Sequence, residues 1–182
     1  MATIANEVRR CTRCQLHLAR RKAVPGEGPR QANLVLIGEA PGEQEDRVGR
    51  PFVGRAGQVL DQCLQAARIV RGEIFITNLV KCRPPQNRIP LRTEIDTCTA
   101  AYLRDQIRII NPALVVLLGA TAVKALLGVP LLSQARGHFI QRDRLYLATY
   151  HPAAGLRNPA WRQALQDDLI RARRWLDRFH PR

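Results

Sequence analysis

No stretch of this sequence stays apolar long enough to cross a bilayer. The longest runs, around Ala113 to Gly119 and Leu34 to Gly38, fall far short of about 18 residues. No cleavable leader opens the chain, so secretory and membrane classes are set aside and a cytoplasmic protein is expected. No linker is needed: 182 residues with 46% hydrophobic content suit one domain over residues 1–182 with a full-sized core. Lysine is almost missing, since of 29 basic residues only Lys22, Lys81 and Lys124 are not arginine. Acids are in deficit too, 15 against 29, which leaves a net charge of +14. GC-rich coding would account for arginine replacing lysine but not for the net excess. The excess favours a polyanionic partner, because arginine forks bind phosphates bidentately and a basic surface gives salt-dependent, sequence-independent affinity for nucleic acid.

A second close cysteine pair is also missing. Cys11 and Cys14 form one Cys-x-x-Cys, whereas Cys82 and Cys98 lie far along the chain, flanking the Pro- and Arg-dense loop from Arg83 to Pro90. No strand precedes Cys11, so a thioredoxin-like redox pair is not supported. Four thiolates suit either a structural zinc or an iron–sulfur cluster, and the spacing leaves both open beside disulfides and unrelated buried thiols. Cys63, inside the helical stretch Gln58 to Leu64, reads as a packed core thiol.

What is present is a regular strand-to-helix alternation. Leu34 to Gly38 reads as a strand buried on both faces, as in parallel sheets. It breaks into the acid-rich turn Glu39-Ala40-Pro41-Gly42-Glu43-Gln44-Glu45-Asp46, where Gly38 and Gly42 let backbone approach a ligand. A second strand, Ile74 to Val80, carries Asn78 near its end, with a donor and an acceptor suited to a nucleobase edge. Residues 92–110 read as a helix stopped by Asn111-Pro112, and 113–118 as a third strand leading through Gly119-Ala120-Thr121 into another helix. A hairpin turn near Arg142-Asp143 precedes the last strand, Leu145 to Tyr150, which delivers His151-Pro152 to the same sheet edge. Ligands of open α/β sheets bind at that edge. Phe52, held between glycines in a loop, is a candidate platform for stacking a base. A helix from Trp161 to Phe179 closes the chain, with Leu165, Leu169, Ala172 and Leu176 on one face.

Glu39 to Asp46, Gly49 to Gly57, Thr77-Asn78-Leu79-Val80-Lys81-Cys82-Arg83-Pro84 and His151-Pro152-Ala153-Ala154, with four matching cysteines, resemble the iron–sulfur (family 4) uracil-DNA glycosylases. The resemblance covers nearly the whole chain. It implies a three-layer α/β fold, a central four-stranded parallel sheet flanked by helices, and a structural 4Fe-4S cluster on Cys11, Cys14, Cys82 and Cys98. It further implies a monomeric, monofunctional glycosylase that flips uracil out of single- or double-stranded DNA and hydrolyses the N-glycosidic bond.

Under that resemblance Phe52 stacks on uracil and Asn78 reads its Watson–Crick edge. His151 hydrogen-bonds the uracil O2 as negative charge develops. Gly38, Ala40 and Gly42 line the substrate, and their backbone positions the attacking water. Leu156, with Arg157, is the wedge that fills the vacated space. Family 1 relatives carry a water-activating Asp where Ala40 stands here, so either Glu39 or Glu45 takes its place or a weaker electrostatic route suffices; the resemblance involves both carboxylates without assigning the base. A neighbouring family becomes covalently trapped on uracil-DNA through a His in an Arg-rich insertion. Arg83 to Thr97 holds no His and no insertion, so turnover is expected over trapping, with a non-catalytic DNA-binding module as the remaining alternative.

Overall fold

The computed structural model describes residues 1–180. The last two residues of the expected 1–182 domain lie outside the described residues. The element order is α1 (Ala2–Arg10), β1 (Leu34–Gly38), α2 (Glu43–Val48), α3 (Arg55–Ala66), β2 (Phe75–Asn78), α4 (Arg92–Cys98), α5 (Arg104–Ile110), β3 (Leu114–Leu118), α6 (Ala120–Leu127), β4 (Phe139–Gln141), β5 (Leu145–Thr149), α7 (Pro152–Gly155) and α8 (Pro159–Phe179). None of these helices is long and apolar enough to cross a membrane.

The sheet runs β2-β1-β3-β5-β4. Its first four strands are parallel, as the resemblance implied, but the sheet has five strands rather than four. The fifth, β4, pairs antiparallel with β5 from Phe139↔Leu147 to Gln141↔Leu145. The intervening residues 142–144 are too few for a parallel crossover, so the returning strand must be antiparallel. β4 is a three-residue edge whose Phe139 and Gln141 are exposed, and its brevity limits edge-to-edge pairing.

β1 and β3 are buried at every position because helices cover both sides. Side-chain alternation sends Val35, Ile37, Val115 and Leu117 to one core, beside Leu103 and Val123. Leu34, Leu36, Val116 and Leu118 face the other, against Leu60 and Leu64 of α3 and Leu165 and Leu169 of α8. Spacing of i, i+4 and i+7 keeps Leu165, Leu169 and Ala172 on the buried face of α8. Each such leucine contributes about 1.5–3 kcal/mol of transfer free energy.

The helix expected over residues 92–110 is not continuous. Thr99–Leu103 widens into a π turn between α4 and α5, and Asn111 then ends α5 in the left-handed region at φ 47°. β2 stops at Asn78 instead of Val80, yet the chain beyond stays tied to the β1 exit. Leu79 N–H donates to the Gly38 carbonyl at 2.9 Å and Val80 N–H to that of Glu39 at 3.3 Å. Gly38 pairs directly with Asn78 in the register.

Candidate active site and cysteine pocket

Parallel strands send their carboxyl ends the same way, so the loops after β1, β2 and β5 meet. They enclose a cavity of about 200 Å³, whose walls include Glu39, Gly42, Phe52, Asn78 and His151. Ala40 also lines it. Gly38 makes the arrangement possible. A Cβ there would stand 2.4 Å from Asn78 Oδ1 and 2.6 Å from Phe52 Cζ, so only glycine lets the amide and the ring close over the strand end.

Phe52 is buried although it lies in a loop, and its φ of 51° is unusual for a bulky residue. Its surroundings hold that conformation. A Cβ on Gly57 would fall 2.0 Å from the Phe52 carbonyl oxygen. Arg71 donates to the preceding Pro51 carbonyl at 2.7 Å and to Glu27 at 2.8 Å. The ring then sits 5.7 Å from the His151 ring at 36°.

His151 is the N-cap of α7. Its Nδ1 accepts a hydrogen bond from Ala153 N–H at 3.2 Å. A neutral imidazole whose Nδ1 accepts carries its proton on Nε2. That Nε2 is buried and has no partner. Burial pushes the pKa of His151 down to about 4 against an opposing pull from Glu45, so the ring is neutral at physiological pH. Asn78 Oδ1 is likewise buried and unpartnered. Two orphaned polar atoms of opposite sense, an N–H donor and a carbonyl acceptor, therefore belong to residues that line the same cavity.

The two candidate carboxylates differ in their freedom. Glu45 is buried, with Oε1 accepting from Val53 N–H and Gly54 N–H, both at 2.8 Å, and Oε2 from Gly42 N–H at 3.1 Å. It joins the β1 turn to the Phe52 loop. Glu39 is half-buried, and its Oε2 accepts a 2.5 Å bond from the Thr121 hydroxyl. Thr121 went unassigned in the sequence, although Gly119-Ala120-Thr121 follows a strand at the same edge. Asn87 and Arg88 also line the cavity. Arg88 is held bidentately by Glu94 at 2.7 and 2.9 Å. Leu156 and Arg157 follow α7 on the surface, Leu156 being 42% exposed.

A second pocket lies on the α4–α5 side of the sheet, lined by Cys11, Cys14, Cys82 and Cys98 together with Arg20 and Tyr102. None of the chain's five cysteines is in a disulfide. Arg20 donates to Cys82 Sγ at 3.1 Å and to the Cys11 carbonyl at 2.7 Å. Among the described residues no three His, Cys, Asp or Glu side chains are grouped to hold one metal ion. A single zinc needs every sulfur about 2.3 Å from one point, whereas a cluster offers a separate iron to each thiolate. The thiols that could hold either group are those of Cys11, Cys14, Cys82 and Cys98. Cys63 lies in the opposite core, as a packed thiol.

The chain matches the Uracil DNA glycosylase superfamily over residues 25–175. It is 44% identical to the type-4 uracil-DNA glycosylase of Pyrobaculum aerophilum over 89% of this chain and 87% of that protein. The type-4 enzyme of Saccharolobus solfataricus is 43% identical over 91% of this chain and 82% of its own length. That of Thermotoga maritima is 40% identical over 97% and 94% respectively. By motif order, fold and similarity over most of its length, the chain belongs to the uracil-DNA glycosylase superfamily and, within it, to the type-4 uracil-DNA glycosylases.

Proposed function

We propose that this chain is a monofunctional uracil-DNA glycosylase: it flips uracil out of DNA and hydrolyses the N-glycosidic bond, leaving an abasic site. The observation that carries this reading is the pair of orphaned atoms, His151 Nε2 and Asn78 Oδ1, on residues that line the cavity. Buried polar groups without partners are rare, and a ligand that satisfies both explains them. Uracil does. Its N3–H faces Asn78 Oδ1, its O4 accepts from the same amide, and its O2 accepts from His151 Nε2–H. Cytosine would set a bare N3 against Oδ1 and an amino group against the amide donor, leaving unpaired groups on both sides.

Cleavage moves the bonding electrons of the C1′–N1 bond onto the base, and O2 carries much of that charge. A neutral imidazole N–H fixed at that atom stabilises the anion without gaining or losing a proton. Phe52 stacks against the base and holds its plane. Glu39, anchored by Thr121, orients the water that adds to C1′, and the water's proton leaves toward that carboxylate. Glu45 is assigned a positioning role instead, because three backbone amides already occupy it. Leu156 fills the gap left by the flipped nucleotide, and arginines supply phosphate affinity.

The donor set of the cysteine pocket fits a 4Fe-4S cluster on Cys11, Cys14, Cys82 and Cys98. When bound it supplies a covalent cross-link among the α1 exit, the β2 exit and α4. No step of base excision draws on it.

The test is a gel assay on a uracil-containing oligonucleotide, single- or double-stranded, followed by alkali. Nicking only after alkali supports the proposal. A heat-stable shifted band points to covalent trapping, and binding with neither outcome points to a non-catalytic module.

A further inference from the structure

Lys81 is among the largest fully buried side chains of the protein, 1% exposed, and the excision chemistry above leaves it without a role. A buried ammonium is costly, and replacing buried charges by apolar groups is often neutral or stabilising. No carboxylate among the described residues forms an ion pair with it. Its Nζ donates instead to Thr77 Oγ1 at 2.6 Å and to the Asn78 carbonyl at 2.8 Å. Lys81 also lines the cysteine pocket, together with Cys82 and Cys98. Cys82 is its chain neighbour, and Val24 N–H closes on the Lys81 carbonyl at 2.7 Å. One residue thus holds the strand end bearing Asn78 and lines the pocket of the cysteines proposed to bind iron.

We propose that Lys81 is a positioning residue for uracil recognition and, at the same time, the buried counter-cation of the thiolate-bound group in the cysteine pocket. Thiolates ligating a cluster leave net negative charge in a place water does not reach, and the ammonium answers that charge. The same ammonium clamps Thr77 and the Asn78 carbonyl, so it sets where the Asn78 amide meets the base. This rests on the uracil-excision reading for one arm of its test and on the cluster assignment for the other.

The experiment uses iron-loaded protein carrying Lys81→Met, which keeps the stem and removes the charge. Its iron content per chain should match that of wild type. Its cluster reduction potential should move to a more negative value, because a nearby positive charge that favoured the added electron is gone. Single-turnover uracil excision should fall by about tenfold, the scale of one charge-assisted hydrogen bond. Affinity for uracil-DNA should change less, since phosphate contacts carry it.

The decisive arm is a double-mutant cycle. In an Asn78→Ala background, adding Lys81→Met should slow excision by less than about twofold, because the residue through which Lys81 acts is already gone. Full multiplication of the two losses overturns the positioning role, as does unchanged excision in Lys81→Met. An unshifted potential overturns the counter-cation role. If Lys81→Met is insoluble, Thr77→Val removes one acceptor of the ammonium and carries the same cycle with the same criterion. A wild-type protein that excises no uracil would refute the proposed function instead, while the potential still reads the charge of Lys81.

Discussion

Replacing His151 by Ala separates the proposed leaving-group stabilisation from a capping role, because the two ring nitrogens have different surroundings. Nδ1 caps α7 by accepting from Ala153 N–H, and Nε2 is buried without a partner on a residue that lines the cavity. Losing the cap costs about 1 kcal/mol of folding stability. Losing a donor aimed at developing negative charge slows excision by about 10²–10³-fold, or roughly 2.7–4 kcal/mol of transition-state stabilisation. The two effects therefore differ in both size and readout. Single-turnover excision of a uracil duplex, filter binding and thermal unfolding should show a large rate loss, near-native affinity and a modest fall in Tm. The pH profile adds an independent check. With its pKa pushed down to about 4, His151 is already neutral at pH 6.5, so wild-type excision should show no inflection there from this residue. Excision should fall as pH approaches 4, where Nδ1 takes up a proton and loses its bond to Ala153 N–H. The stability sign follows from the same shift. Between pH 6.5 and 4 the unfolded chain binds the His151 proton more readily than the folded chain, so this contribution is present above pH 6.5 and is lost toward pH 4. A His151→Ala variant that keeps more than a third of the wild-type rate would refute the leaving-group role, as would parallel losses of DNA binding and Tm with no separate rate effect.

Gly38→Ala should slow excision by about tenfold or more while lowering stability by about 1–3 kcal/mol, since its Cβ displaces both Asn78 and Phe52. Kinetics on uracil-DNA beside a denaturant melt would expose the error if the rate were untouched. Cys98→Ala should lose the visible absorbance and iron of the wild-type protein and melt at lower temperature, because thiolate–metal bonds contribute to folding. Stoichiometric zinc in the wild type, with no iron under anaerobic preparation, would contradict this. Leu156→Ala should weaken excision from duplex DNA more than from single strands, since only a duplex has a base stack for the side chain to enter. Equal losses on the two substrates would remove Leu156 from the wedge.

The sequence disclosed the strands buried on both faces because an unbroken apolar run such as Leu34-Val35-Leu36-Ile37 has few other uses, and the order of strands and helices set the sheet edge where function gathers. β4 was not legible as a strand: with Phe139 and Gln141 exposed it lacks a buried alternation, and only its turn with β5 gave a signal. The π turn at Thr99–Leu103 was hidden for a different reason, since one extra residue in a helical turn leaves local composition unchanged. The site divides along the same line. Gly38, Asn78 and His151 stand at strand ends and could be located by counting along the chain. The state of each group could not. Three backbone amides from two loops occupy Glu45, and the partner of Glu39 is Thr121, 82 positions away. Lys81 carries no local mark of burial in the sequence; its hydrogen bonds to Thr77 and Asn78 and the Val24 N–H on its carbonyl form only in the fold. Topology decides which side chains gather at a parallel sheet's carboxyl edge. Which of them remain free to meet a substrate depends on how many donors and acceptors the surrounding backbone has already taken. That is why two carboxylates in one turn, equivalent by sequence, end in different states: three backbone amides occupy Glu45, whereas Glu39 accepts from the Thr121 hydroxyl.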